Sequence, residues 1–241
     1  MSKPIESGPS VLRDLNTKFC NNLGLALGHE EPLASRAELQ ARAIPVVAKI
    51  LGRHLELTGW QRDALCMFDE IFADVICSIY LSACGLDKPA HMILRRALEV
   101  GTATVYLWDL PHLFWGWKDH DKDLTFNEML EHFSTHGFNS FVRSQNPHYK
   151  GTEVIDAALA RTLYRKLSNI IHGKMTTFES VLADKFQHSQ DDWRSHLEQV
   201  CEVERILLAL WGNRFCCVSE HLLSEFPQLR MQRTNENDPQ V

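Results

Sequence analysis

Residues 65–89, LCMFDEIFADVICSIYLSACGLDKP, carry the clearest folding signal in the chain. Apolar residues recur there every three to four positions up to Cys84, which is the period of a helix with one buried face. Gly85 then favours a helix end, and Asp87 as N-cap with Pro89 in the first turn favours the start of the next helix. Two helices with so short a connection predict an antiparallel pair.

The helical period continues on both sides of this stretch. The predicted helices cover approximately residues 10–27, 34–57, 58–84, 87–109, 124–136, 152–172 and 189–226. Residues 113–123 are predicted as a connection with one helical turn, and residues 137–151 as a loop rich in Gly, Asn, Pro and Ser. Because no alternating strand pattern bounded by turns occurs, we expect an all-α bundle of about seven helices around one core.

The composition is typical of a globular protein, with 44% hydrophobic and 23% charged residues among 241. We expect an N-terminal helical extension at residues 1–30, a helical bundle at 31–226 and a polar, disordered tail at 227–241. No stretch offers the ~20 clean apolar residues of a membrane span. The seven cysteines form no CxxC pair, which is typical of buried thiols in a reducing compartment. A cytoplasmic protein with no membrane partner is therefore expected.

The stretch from Tyr164 to Lys174, YRKLSNIIHGK, carries the functional signal. Arg165 and His172 are separated by about two helical turns, so they share one face with an axial rise of roughly 10 Å. Ser168 and Asn169 project near the same face. His172 falls in the last predicted turn, where the free carbonyl groups favour a protonated imidazole. An imidazole that gains and loses a proton near neutral pH is suited to acid–base chemistry.

Positive charge is concentrated in the same region. Arg161, Arg165, Lys166 and Lys174 have no acidic residue between them, although 31 Asp and Glu outnumber 25 Lys and Arg in the whole chain. An RNA backbone favours such a local patch, whereas the net charge of −6 argues against a broad nucleic-acid-coating surface. The other interpretation is that these cations only stabilise the carbonyl end of a helix.

The spacing of Arg165 and His172 resembles the pattern of the HEPN superfamily, in which an Arg and a His are separated by four to six residues. A second stretch, CGLDKPAHMILRRALEV at residues 84–100, is similar to a helix of uncharacterised bacterial HEPN-like proteins. In those proteins that helix pairs with a later one of the type seen at residues 164–173. The similar parts cover under half of the chain. The resemblance implies an all-α, HEPN-like bundle.

The resemblance also implies an activity, a metal-independent endoribonuclease. Arg165 would hold the scissile phosphate through its planar guanidinium, and His172 would act as general acid or base while the ribose 2′-hydroxyl attacks. The polar neighbours that would support them are Ser168 and Asn169. Two subunits of such enzymes usually pair around one cleft, so a homodimer is expected. Many members act as toxins or in phage defence, which implies an antitoxin or defence-system partner protein.

The remaining contacts to RNA are assigned to the basic residues of the same region, Arg161, Lys166 and Lys174. Arg96 and Glu99 are candidate supporting residues on the preceding long helix. Glu99 either pairs with an arginine of its own helix, Arg95 or Arg96, or lies between helices and orients the guanidinium of Arg165.

A second class of function fits the same sequence, a non-catalytic HEPN-like module that regulates or scaffolds a partner protein. The acidic net charge and Lys166 favour this module, whereas the Arg165–His172 spacing favours the nuclease. Glu128, His132 and His136 share one predicted helical face, but the HExxH pattern of zinc proteases is absent. We therefore expect no metal site and no cofactor.

Overall fold

The computed structural model describes residues 10–28, 32–119, 123–171 and 186–229. Within these ranges the chain forms helices and no strand, so the all-α prediction is confirmed. The helices of the described ranges are α1 (Ser10–Gly28), α2 (Pro32–His54), α3 (Gly59–Ala64), α4 (Cys66–Ala83), α5 (Asp87–Asp109), α6 (Pro111–Lys118), α7 (Phe126–Phe133), α8 (His136–Gln145), α9 (Ala157–Ile171), α10 (Gln190–Arg214) and α11 (Cys216–Glu225).

The short connection between α4 and α5 contains Gly85, where the sequence predicts a helix end. Gly85 has a φ of 80°, a left-handed conformation that a side chain disfavours. Its N–H donates to Ser82 O at 2.9 Å, and the N–H of Leu86 donates to Leu81 O at 2.8 Å. These two bonds form a Schellman motif, which satisfies carbonyl groups at the end of α4. The turn therefore brings α5 back along α4.

The core surrounds α5, which contacts α4, α9 and α10. Gly101 of α5 allows the approach of α10, because a Cβ there would lie only 2.5 Å from Leu207 Cδ1. Trp211 is fully buried on α10, and its Nε1 donates to Thr104 Oγ1 at 2.8 Å. The helix α9, which carries the predicted site, packs on this central helix.

The helix α1 corresponds to the predicted N-terminal extension and packs against α4. Asn22 Nδ2 donates to the backbone oxygens of Cys84 and Phe186, both at 2.8 Å, and Ala26 is buried. Of the predicted disordered tail, residues 230–241 lie outside the described ranges, and Leu229 is buried. No described helix is long and apolar enough to cross a lipid bilayer.

Two helices that the sequence predicts as continuous are interrupted. The helix predicted at residues 58–84 divides at Leu65 into α3 and α4. The helix predicted at residues 189–226 divides at Phe215 into α10 and α11, because Phe215 adopts extended backbone angles. The ring of Phe215 packs 5.3 Å from that of Trp108, so burial of this aromatic residue accompanies the bend. The described part accordingly contains eleven helices rather than about seven.

Two segments predicted as connections contain helices. The segment at residues 113–123 belongs largely to α6, for which Pro111 supplies a favourable first residue. The segment at residues 137–151 contains most of α8, so the prediction of a loop there is wrong. Thr135 caps α8 by accepting a hydrogen bond from Phe138 N at 3.3 Å on Oγ1. The cap and the buried ring of Phe138 outweigh the poor helix propensity of the segment.

Two helix starts also differ from the predictions. Asp87 is the first residue of α5 rather than its N-cap, and Leu86 occupies the N-cap position. The helix predicted from Thr152 begins at Ala157 instead. Asp156 Oδ1 accepts a hydrogen bond from Leu159 N at 2.9 Å, so this carboxylate satisfies a free N–H of the first turn.

Candidate functional site

The helix α9 buries one face and exposes the other. Leu163 and Leu167 are buried on the inner face, which packs on α5. Arg165 and Asn169 are exposed on the outer face, as their spacing predicts. Lys166 is exposed as well, but it lies about 100° around the helix from Arg165, on the other flank. The cationic groups of the predicted site are thus accessible to a ligand.

The other predicted residues of this helix are less accessible. Arg161 and Ser168 are half-buried. The hydroxyl of Ser168 donates to Tyr164 O at 2.7 Å, so it is bonded to its own helix. His172 and Lys174 lie outside the described residues.

Tyr164 directly precedes Arg165 and attaches α9 to α5. Its hydroxyl donates to Glu99 Oε1 at 2.7 Å and accepts a hydrogen bond from Arg95. The guanidinium of Arg95 lies 4.5 Å from the centre of the Tyr164 ring, in a cation–π contact. The Tyr164 ring also stacks on the ring of Phe126, with the two ring centres 4.4 Å apart. Burial and the neighbouring Glu99 carboxylate raise the pKa of Tyr164. The hydroxyl therefore stays protonated and donates a hydrogen bond to Glu99.

The structure favours the first of the two alternatives for Glu99. Glu99 Oε1 lies 3.2 Å from Arg95 NH2 on its own helix. No hydrogen bond or ion pair joins Glu99 to Arg165 within the described part of the chain. Arg96 points elsewhere and pairs with Asp74 of α4. Glu99 therefore acts on α9 through Tyr164, one residue before the predicted phosphate-binding arginine.

The sequence places Tyr164 within the motif but predicts no role for it, and it predicts Arg95 only as a charge partner of Glu99. The available signal was the i, i+4 spacing of Arg95 and Glu99, which places both side chains on one face of α5. The two aromatic rings of the cluster come from separate helices, and no spacing in the sequence connects them.

A buried imidazole pair lies beside the same helices and was not predicted. His196 of α10 is fully buried, and its Nε2 lies 2.8 Å from Ser78 Oγ. The hydroxyl of Ser78 donates its proton to Ala90 O at 2.9 Å, so Nε2 of His196 must be the donor in its hydrogen bond to Ser78 Oγ. The His91 ring packs edge-on at 4.7 Å, and its Nδ1 lies 2.7 Å from Asp87 O. Because a carbonyl only accepts, Nδ1 of His91 carries a proton.

Burial keeps both imidazoles neutral. Burial, together with the neighbouring His91, lowers the pKa of His196 to about 3. Burial also lowers the pKa of His91, and the positive charge of Lys166 on α9 adds to this effect. The flank of α9 that carries Lys166 therefore lies within electrostatic reach of the imidazole pair.

Exposed cations on the outside of α9 and a fixed aromatic cluster on its inside make a surface suited to a phosphate group. A guanidinium offers paired N–H donors that match phosphate oxygens, and an ammonium adds a point charge. No family model matches the chain, and no curated protein or solved structure matches it at a significant level. The chemistry of the site is therefore argued from Arg165, Lys166 and their surroundings.

Proposed function

We propose that this protein is a metal-independent endoribonuclease of the HEPN type that acts in the cytoplasm. The supporting observation is the exposure of Arg165 and Lys166 on α9, where no carboxylate of the described residues pairs with either cation. An unpaired guanidinium keeps its full donor set for a phosphate. The hydrogen bond from Tyr164 to Glu99 fixes α9 to α5 at the residue directly before Arg165.

In the proposed reaction the ribose 2′-hydroxyl attacks the adjacent phosphorus, and the bond to the 5′ oxygen of the next nucleotide breaks. Arg165 binds the phosphate oxygens and stabilises the charge that develops on them. His172 transfers the proton, either from the attacking hydroxyl or to the leaving oxygen. Asn169, Arg161, Lys166 and Lys174 contact the RNA on either side of the cleaved bond.

The proposal includes a homodimer in which the outer faces of two α9 helices border one cleft. A protein partner of antitoxin or defence type would then inhibit the enzyme by covering this face. Arg96 takes no direct part, because it pairs with Asp74 on a different side of α5.

The test is an RNA cleavage assay in excess chelator with single-stranded and structured substrates. His172→Ala should reduce cleavage by roughly 10²–10⁴-fold, which is the usual contribution of a positioned acid or base. Arg165→Lys should also be severely impaired, because it keeps the charge and loses the paired donors. The matched controls are His136→Ala and Arg143→Lys, two exposed residues of α8, and both should retain full activity.

The alternative is a non-catalytic module that binds a partner through the same face. The observation that favours it is the pairing of Glu99 with Arg95 and Tyr164, so that among the described residues no carboxylate orients Arg165. If the folded protein binds RNA or a partner protein but cleaves no RNA under these conditions, the function is that of the binding module and not that of a nuclease.

A further inference from the structure

Three side chains with metal-binding groups converge where α10 meets α11. His148 comes from the segment between α8 and α9, and Cys216 and Glu220 come from the first turns of α11. Glu220 Oε1 lies 3.0 Å from His148 Nε2 and 3.2 Å from Cys216 Sγ. All three ligand atoms lie within 4.8 Å of one another. None of these residues belongs to the proposed nuclease site.

The local structure holds the three groups in place. Cys216 and Glu220 are four residues apart on one helix, so they share a face. His148 is positioned by Asn146, whose buried side chain donates to Gly212 O at 3.1 Å and to Asn213 O at 2.8 Å. The oxygen of the same amide accepts the N–H of His148 at 3.1 Å. The backbone that carries His148 is therefore fixed to the α10–α11 corner by bonds that need no ligand.

The spacing of these groups is close to that of a tetrahedral zinc site. Ligand atoms at about 2.0–2.3 Å from a tetrahedral zinc ion are roughly 3.3–3.7 Å from each other. The two separations that involve Glu220 are a few tenths of an ångström shorter, and the ligand atoms of His148 and Cys216 lie within 4.8 Å of each other. Rotation of the exposed His148 and Glu220 side chains would bring the three groups to this spacing. Imidazole, thiolate and carboxylate are all zinc ligands, whereas magnesium and calcium prefer oxygen alone.

We propose that His148, Cys216 and Glu220 form a binding site for zinc(II), with a fourth position open to water or to a ligand. Binding releases the proton of the Cys216 thiol to solvent, because the thiolate is the ligand. His148 also borders a cavity of about 500 Å³ that Arg36, Gln40 and Arg205 line on its polar side. The proposed site therefore lies, at His148, beside a cavity large enough for a small molecule.

The test uses the full-length protein, freed of metal and titrated with zinc against a chromophoric chelator. One zinc ion per chain is expected, and magnesium should not compete. Cobalt(II) in place of zinc should give the ultraviolet charge-transfer band of a thiolate ligand. Cys216→Ser should abolish that band, and Glu220→Gln and His148→Ala should each weaken zinc binding by at least roughly 10-fold, since even outer-shell partners contribute 10–100-fold.

The control variants are Cys66→Ser and His112→Ala, which change exposed residues of the same kinds elsewhere in the fold. Both should bind zinc as the parent does. The circular dichroism spectra of His148→Ala and Glu220→Gln should match that of the parent, so that a loss of zinc binding in these two variants cannot come from unfolding. A parent that binds no zinc, or zinc binding that persists in all three ligand variants, would overturn the proposal and leave an ordinary surface ion pair. Neither result depends on RNA cleavage.

Discussion

The hydroxyl of Tyr164 donates a 2.7 Å hydrogen bond to Glu99 Oε1, and this bond connects α9 to α5. Arg165 is the next residue and projects about 100° further around the helix, into solvent. The contact that fixes α9 therefore also sets the direction in which Arg165 points. Glu99 affects the predicted site without touching its arginine.

Removal of the Tyr164 hydroxyl should weaken this attachment. Tyr164→Phe should lower the free energy of unfolding by about 0.5–1.5 kcal/mol, the usual net value of one hydrogen bond. Glu99→Gln should also destabilise the fold, since it removes the charge that faces Arg95. Because both changes break the same contact, the double variant should lose less than the sum of the two, as measured by urea unfolding. Fully additive losses would contradict the role given to this bond.

The basic residues around the predicted site should act on RNA affinity through charge alone. Lys166→Ala and Lys174→Ala should each weaken binding and reduce the slope of log affinity against log salt by about 1, because one phosphate contact is lost. Fluorescence anisotropy with labelled RNA at several salt concentrations measures this slope. Lys118→Ala is the control, since Lys118 pairs with Asp63 on another part of the surface, and it should leave the slope unchanged.

The buried imidazole of His196 should make stability depend on pH. Its pKa is about 3 in the folded protein and about 6.5 in the unfolded chain. Between these values only the unfolded state binds the proton, so the free energy of unfolding should fall as pH drops below about 6.5. The contribution is up to about 1.4 kcal/mol per pH unit. His91, whose pKa is also lowered, acts in the same direction, and the raised pKa of Asp87 opposes it.

His196→Gln isolates this contribution, because its amide can still donate to Ser78. Urea unfolding at pH 7 and pH 5.5 should show a shallower loss of stability in the variant than in the parent. His112→Ala, at an exposed position, should keep the slope of the parent. Identical slopes for parent and His196→Gln would show that His196 titrates normally.

Glu204 should destabilise the protein at neutral pH. It is fully buried on α10, and neither carboxylate oxygen has a hydrogen-bond partner among the described residues. Burial raises its pKa well above the usual value, although the charge of Arg36 opposes this. A raised carboxyl pKa means that stability is full below the unfolded pKa of about 4.3 and is lost as pH rises toward the folded pKa.

Glu204→Gln should therefore raise the free energy of unfolding at pH 7, by up to about 1.4 kcal/mol for each pH unit by which the folded pKa exceeds the unfolded one, because an amide stays neutral without binding a proton. The gain should disappear near pH 4, where the parent carboxyl is protonated in both states. Glu198→Gln changes an exposed residue of the same helix and should have no comparable effect. If Glu204→Gln instead has a lower free energy of unfolding than the parent at pH 7, the carboxylate is ionised and paired in the folded protein.

The sequence predicted the central helices best, because glycine and proline residues mark their ends. The end of α5 at Asp109 agrees with the prediction, and its start differs by one position, since Gly85 ends α4 before it and Pro111 begins α6 after it. The helix α8 was missed because Asn139 and its neighbours are typical of loops. In the fold, Asn139 Nδ2 instead donates to Phe133 O at 2.7 Å, a contact across the short turn between α7 and α8.

The site was predictable only along one helix. The 3.6-residue period placed Arg165 and Asn169 on the outer face of α9. It gave no means to choose between the partners of Glu99, because both alternatives satisfy the helical spacing. The cluster of His148 with Cys216 and Glu220 was not predicted at all. Its one local signal was the i, i+4 spacing on α11, and the histidine comes from a distant part of the chain.

The bonds of Asn146 to the α10–α11 corner also bear on the order in which the chain folds. Asn146 and Gly212 are 66 positions apart, whereas α4 and α5 meet across a turn of a few residues. Closing the longer loop costs more chain entropy, so the α4–α5 pair should form early and the corner late. The three proposed zinc ligands come together only when this corner closes. Zinc uptake during refolding would therefore report the closed corner and not the earlier α4–α5 pair.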